Sequence, residues 1–183
     1  TAPSLVSAPS PAREGSTFTC ATGTTSDADG DTVSVGIRWS VDGTTVSGQT
    51  GTTLTDAYFA KGDTVRCWTT PSDSSGPGAE QGSNSIAVEN SIPVVTAPSL
   101  TPTTATTNAS FACAAGVTSD ADSIDTVSLS YRWTRNSATV SGQSSATVPA
   151  GTFARGESVQ CHTTPTDGDD AGTEQSSNSV TVQ

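Results

Sequence analysis

Positive charge, aromatic residues and long apolar runs are all scarce in this chain of 183 residues, and each scarcity excludes something. Seven Lys and Arg stand against 18 Asp and Glu, a formal net charge of -11. A chain so poor in cations has nothing with which to neutralise a run of phosphates, so nucleic acid is excluded as a partner. Aromatics make up 5% and hydrophobic residues 32%, which leaves material for small cores only. No apolar stretch approaches the roughly 20 residues that a membrane-spanning helix needs. His162 is the only histidine, so a Ser–His–Asp set has no way to exist in both halves of the chain. The cysteines form no CxxC and have no histidine cluster beside them, which argues against zinc. Paired carboxylates of the glycosidase kind would have to come from acidic loops that read as turns, and no enzyme is expected. Thr1-Ala2-Pro3-Ser4 has neither a basic nor an apolar leader region, so the chain is expected to be a mature form or, more in keeping with the repeat described next, an excised piece of a longer protein.

What the chain does have is an internal repeat. TAPSL occurs at Thr1–Leu5 and again at Thr96–Leu100, VSGQ at Val46–Gln49 and Val140–Gln143, and Phe59-Ala60-Lys61-Gly62 returns as Phe153-Ala154-Arg155-Gly156. Cys20 matches Cys113, Trp39 matches Trp133 and Cys67 matches Cys161, at offsets of 93, 94 and 94, so one residue was inserted between the first two landmarks. The boundary lies in ENSIPVVT, Glu89–Thr96, where Pro93 lacks a ladder donor and Asn90-Ser91 favour a turn. The expected division is a first domain over 1–89, a linker over 90–95 and a second domain over 96–183.

Within each half the apolar period is two. Val33, Val35, Ile37, Trp39 and Val41 alternate without a miss, as do Val127, Leu129, Tyr131 and Trp133. Shorter strands are expected around Phe18 and Cys20, Leu54, Val65 and Cys67, and Ile86 and Val88, divided by Gly, Asp, Asn and Pro clusters. Helical periodicity is found nowhere. This spacing predicts an all-β antiparallel sandwich in each half. Four cysteines allow three pairings, and the repeat selects Cys20 with Cys67 and Cys113 with Cys161, because each copy must be self-sufficient. Closing a loop of 47 residues stabilises the fold by roughly 4 kcal/mol in the chain-entropy model. Disulfides in turn imply an oxidising compartment.

An early-strand Cys, a core Trp on the next strand and a second Cys late in the domain resemble the immunoglobulin fold. More narrowly, each half resembles the tandem immunoglobulin-like repeats of secreted or surface-anchored bacterial proteins. The residues that carry the likeness are Cys20, then Asp27-Ala28-Asp29-Gly30-Asp31, Trp39 to Asp42-Gly43, Phe59 to Val65, and Thr70-Pro71-Ser72-Asp73. Val65 and Val159 stand where antibody domains carry a corner tyrosine, and the Cys-to-Trp interval is longer than theirs. The resemblance implies two tandem immunoglobulin-like sandwiches, each with one inter-sheet disulfide, serving as spacers or in adhesion. A Lys–Asn isopeptide staple of the kind some similar modules carry is impossible in the second half, where Arg155 replaces Lys61, the only lysine.

The same resemblance places the loops after the two Cys strands at one end of the domain. It would gather Asp27, Asp29, Asp31 and Asp73 in the first half, and Asp120, Asp122, Asp125 and Asp167 in the second, with Asp169 and Asp170 nearby and Glu89 and Asn90 beside them. Calcium takes six to eight oxygens, so these loops are its candidate site, and a junctional ion would stiffen a two-domain rod. The loops are not EF-hands, since Thr32 and Arg38 stand where that motif needs Gly and Glu, and the second copy reads Asp120-Ala121-Asp122-Ser123-Ile124-Asp125, with one residue more. Turn formation and solvation are the competing reading of the same residues. On the outward face, with Val65 and Cys67 pointing inward, Trp68 lies between inward positions and should face solvent beside Arg38; the corresponding pair is His162 and Arg132. Such a pair would either bind a sugar or a protein or simply form a cation–π contact between strands. Asn108-Ala109-Ser110 is the one N-glycosylation sequon, and the Thr-rich Thr101–Thr107 invites O-linked sugars.

The expectation is therefore an extracellular or cell-surface chain, a structural repeat unit of a fibre, stalk or adhesin whose partners are neighbouring repeats or copies of itself. The alternative is a module that binds glycan or a surface protein through the Arg38 and Trp68 face.

Overall fold

Small polar residues alternating with β-branched and aromatic ones produce the two longest strand pairs of the chain, and everything else is arranged around them. The computed structural model describes residues 1–183 and divides into two units, Thr1–Ser91 and Ile92–Gln183. Both are antiparallel sandwiches, with a single 3-10 turn at Asp56–Tyr58 the one helical segment.

In the first unit one sheet holds β1 (Ser4–Ala8), β2 (Thr17–Ala21) and β5 (Thr53–Leu54) in the order β1-β2-β5. The facing sheet is built on β3 (Ser34–Val41) and β6 (Thr64–Asp73), flanked by β4 (Thr44–Thr45), β7 (Gly76–Pro77), β8 (Gln81–Gly82) and β9 (Ile86–Ala87). β3 and β6 pair from Ser34↔Ser72 to Val41↔Val65, a register that sets Trp39 opposite Cys67 and Arg38 opposite Trp68. Cys67 reaches across the core to Cys20 on β2, with an S–S distance of 2.02 Å. Trp39 is fully buried beside this bridge, and its indole N–H donates to the Gly51 carbonyl at 2.9 Å. Phe18 and Phe59 meet edge to face at 4.9 Å, a favoured aromatic geometry.

The second unit repeats the scheme. β11 (Ser99–Thr101), β12 (Phe111–Ala114) and β16 (Thr147–Val148) form one sheet, and β14 (Ser128–Arg135), β15 (Ala138–Thr139), β17 (Ser158–Thr166), β18 (Gln175–Ser176) and β19 (Val180–Thr181) the other. Cys113 bonds Cys161 at 2.04 Å, Trp133 donates to Ser145, and Phe111 meets Phe153 at 5.4 Å. With the bridge joining the two sheets beside a core Trp, each unit has the immunoglobulin-like arrangement.

Three details depart from the sequence expectation or escaped it. Val33 and Val127 fall just before β3 and β14 rather than within them. Part of the segment read as linker is strand: β10 (Val94–Val95) pairs antiparallel with β13 (Thr118–Ser119) of the second unit. Pro93 has no N–H to give, but its successors do, so the ladder starts immediately after it. Finally, β1 and its counterpart β11 are each held by one amide side chain. Asn84 accepts from the Leu5 N–H at 2.9 Å and donates to the Leu5 carbonyl at 3.0 Å, and Asn178 does the same to Leu100 at 2.8 and 3.4 Å. The repeated Ser-Asn-Ser at 83–85 and 177–179 was the signal for this clasp.

Candidate functional site

The acidic loops and the outward face of the long sheet are the two places where chemistry-bearing side chains gather. In the first unit the loop between β2 and β3 closes on itself. One Asp27 carboxylate oxygen accepts from the Asp29 and Asp31 N–H groups at 2.9 and 3.0 Å, as short polar side chains do in Asx turns. The Asp31 N–H leads the causes, with Asp29, Asp73 and Gly30 also contributing, that hold the exposed Asp27 below the usual carboxylate range. Asp31 accepts from the Ser74 hydroxyl at 2.8 Å, and Asp73 from the N–H groups of Ser75 and Gly76 at 2.7 and 3.1 Å. These carboxylates are taken up in holding turns.

The equivalent loop of the second unit is arranged differently. Asp120, Asp125 and Asp167 bring one carboxylate oxygen each within 4.8 Å of one another. Asp120 uses Oδ1 to accept the Asp122 N–H at 2.9 Å, while its Oδ2 is buried without a hydrogen-bond partner. Asp167 accepts the N–H groups of Asp169 and Asp170 at 2.8 and 2.7 Å through Oδ1. Asp122, grouped with them in the sequence reading, is not one of the three; it is 2% exposed, and its backbone N–H and carbonyl bond Asp120 Oδ1 and the Asp125 N–H. The three correspond to Asp27, Asp31 and Asp73, which form no such triplet. The difference coincides with the sequence, Gly30 in the first copy against Ser123-Ile124 in the second, so the extra residue that spoils the spacing on paper accompanies the clustering of the carboxylates.

On the outward face, Arg38 forms a two-pronged pair with Glu80, Nε to Oε1 at 3.1 Å and Nη2 to Oε2 at 2.8 Å, and a third bond to the Thr45 hydroxyl. Hydrogen bonding across this pair raises the Arg38 pKa and lowers that of Glu80. Trp68 is half-buried rather than solvent-facing, because two guanidiniums lie over its ring, Arg38 at 4.9 Å and Arg66 at 4.4 Å, and its indole N–H donates to Ser40 at 2.9 Å. In the second unit Arg132 and Glu174 reproduce the ion pair at 2.6 Å. His162, expected outside, is only 7% exposed. Its two ring nitrogens are within hydrogen-bond distance of hydroxyls, Nε2 of Thr134 at 3.0 Å and Nδ1 of Ser176 at 2.8 Å, which satisfies the ring in its buried place. Burial first, then the Arg132 charge, push its pKa down, with Glu174 opposing.

Three grooves lie on the first unit. One, of about 590 Å³, runs between β1 and β9 beside Val6 and Ile86. A second, of about 210 Å³, is bordered by Thr25, Ser26, Val35, Thr69, Pro71 and Gln81. The third, of about 150 Å³, adjoins Asp27 and Asp73.

No protein-family model matches the chain, and no curated protein does. Among solved structures it is similar to three N-terminal domains of the bacteriophage RB49 highly immunogenic outer capsid protein, at 15% identity and a TM-score of 0.38 over 96% of this chain and 58% of that one. The chain thus spans a little over half the length of that structure. It is similar also to fibronectin(III)-like modules of Clostridium thermocellum CbhA, at 15% identity and a TM-score of 0.31 over 98% and 94% of the two chains. A third is the FN1–FN3 region of chicken CNTN1, at 11% identity and 0.32 over 99% and 66%.

Proposed function

We propose that the chain is a structural repeat unit of an extracellular fibre, stalk or adhesin, holding another element away from a surface and assembling with neighbouring repeats or copies of itself. The observation that carries this reading is the duplication of a whole self-sufficient core: bridge, Trp, aromatic pair and Asn clasp recur in both units. The outward face is duplicated only in part: the Arg38–Glu80 pair recurs as Arg132–Glu174, but Arg66 and Trp68 of one unit are Gln160 and His162 in the other. A module selected to bind one ligand in both copies would keep its face, whereas a spacer keeps its core. The two bridges favour an oxidising, extracellular setting, and the net charge of -11 keeps such an assembly soluble. Pulling the full chain by force spectroscopy tests this. Two unfolding events are expected, each lengthened on reduction by its locked loop of 47 or 48 residues, about 16 nm. Chains that yield at no resolvable force would count against a load-bearing role.

Binding of glycan or protein through Arg38 and Trp68 is the rival reading. The guanidiniums over Trp68 and the lock of Arg38 on Glu80 favour a structural role for this face. Glycan arrays with wild type and Trp68→Ala decide, because a spacer binds nothing in either form.

A calcium ion on Asp120, Asp125 and Asp167 belongs to the same reading as a stiffening device. The three carboxylates bring one oxygen each together, Asp120 Oδ2 is buried without a hydrogen-bond partner, and backbone or water oxygens would complete the shell that calcium needs. Calcium should then raise the melting temperature of the second unit alone, and Asp125→Asn should remove the effect; equal curves with and without calcium would leave these loops as turns.

A further inference from the structure

Thr1 and Thr96, which open the repeated TAPSL motif, are seated in the same way in the two units. Thr96 donates its N–H to the Val117 carbonyl at 3.0 Å and accepts the Val117 N–H on its hydroxyl at 2.8 Å. Thr1 repeats both contacts with Thr24, at 2.6 and 2.9 Å. Gly23 and Gly116 lie beneath these residues, and a Cβ on either would run into the Thr1 or Thr96 carbonyl. Ahead of Thr96 the second unit continues the ladder, Val95 opposite Thr118 and Val94 opposite Ser119. Val95 is 7% exposed, and the Pro93 carbonyl lies so close to Gly172 that a Cβ there would collide with it.

In the first unit the matching surface is intact. Thr25 and Ser26 correspond to Thr118 and Ser119, Pro71 to Pro165 and Gly78 to Gly172, and together with Val35, Thr69 and Gln81 the first three border the groove of about 210 Å³. Thr25 is exposed where Thr118 is half-buried, and Pro71 half-buried where Pro165 is buried. A Cβ on Gly78 meets nothing nearer than the Pro71 ring at 3.1 Å.

The geometry points to a strand-acceptor edge on the first unit. Thr25–Ser26 accept one extended segment of Pro followed by two β-branched residues, continuing into Thr1 as Pro93–Val95 continue into Thr96. Main-chain bonds to the Thr25–Ser26 edge give the pairing, and the Val35, Pro71 and Thr69 surface takes the apolar side chains, the usual logic of strand addition. This holds whether or not the chain belongs to a fibre.

The test joins Ile-Pro-Val-Val ahead of Thr1 in the full chain, with Gly-Ser-Gly-Ser as the control extension, and reads amide hydrogen exchange at Thr25 and Ser26. At least tenfold slowing at one of these amides is expected with Ile-Pro-Val-Val and none with Gly-Ser-Gly-Ser, and Gly78→Ala should abolish it by crowding the strand out. Equal exchange with the two extensions, or slowing that survives Gly78→Ala, would overturn the assignment. So would protection by a free Asn-Ser-Ile-Pro-Val-Val peptide when the joined strand gives none, which would hand the groove to another chain.

Discussion

The two units are built on one plan and differ where the plan does not bind them. Each has a buried Trp beside a disulfide, an edge-to-face Phe pair and a two-pronged Arg–Glu pair on the outer face. They differ at the acidic loop, at the residue opposite that Arg on the neighbouring strand, Trp68 in one and His162 in the other, and at the hairpin turn. Every shared feature touches the core or fastens a strand to it, and every difference lies at a loop or on an outer face. Packing tolerates little change of volume or polarity in a small core, so the duplicated parts are those that make each unit fold unaided.

Removing the staple from one unit at a time is the sharpest way to break the comparison. Cys20→Ala with Cys67→Ala should cost the first unit roughly 4 kcal/mol and leave the second unit's melting transition in place, as calorimetry on the whole chain would show. Cys113→Ala with Cys161→Ala should do the reverse, and a single joint transition in either case would mean the units fold as one. Next comes the glycine beneath the entering strand. Gly172→Ala pushes against the Pro93 carbonyl and should destabilise the second unit by about 1–3 kcal/mol, whereas Gly78→Ala, whose Cβ meets only the Pro71 ring at 3.1 Å, should change the first unit less.

The buried histidine separates the units by pH. Burial lowers the His162 pKa in the folded state, so the unfolded chain binds the proton more readily. The stabilising share of this group is therefore present above its unfolded pKa, near 6.5, and is lost as pH falls toward the depressed folded value. The melting temperature of the second unit should drop between pH 7 and 5 more than that of the first, and His162→Gln should remove the excess. The smallest effect is expected at the hairpin. Asp42 and Gly43 turn the first unit at φ 49° and 77°, and Asn136 and Ser137 turn the second at 49° and 67°. Serine pays a steric penalty in that left-handed conformation that glycine avoids, so Ser137→Gly should raise the second unit's stability by about 0.5–1 kcal/mol.

Much of this was legible in the sequence because it rests on period and duplication. Alternation around Trp39 and Trp133 marks the central strands, and the repeated cysteines dictate the pairing. Less legible was anything decided by a partner distant in sequence. The alternation that puts Trp68 and His162 on the outer face says nothing of Arg66 or of the Thr134 and Ser176 hydroxyls that cover them. The spacing of the acidic residues was equally silent about which would converge, since Ser74, far along the chain, draws Asp31 away. Pro93 reads as a break, and only the presence of Thr118–Ser119 across from its successors makes that stretch a strand.

The Asn clasp on Leu5 and Leu100 has a chemical lifetime as well as a geometry. A primary amide is the one side-chain group that offers a donor and an acceptor side by side, which is what a strand's N–H and carbonyl require together. Asparagine is also among the thermolabile residues, and hydrolysis of its amide, water entering as ammonia leaves, gives a carboxylate that still accepts from the Leu N–H but sets a negative oxygen against the Leu carbonyl. Deamidation of Asn84 or Asn178 would therefore loosen the β1 or β11 strand it clasps while leaving the disulfide-crossed core beneath it closed, so that an aged chain would shed order from that edge inward.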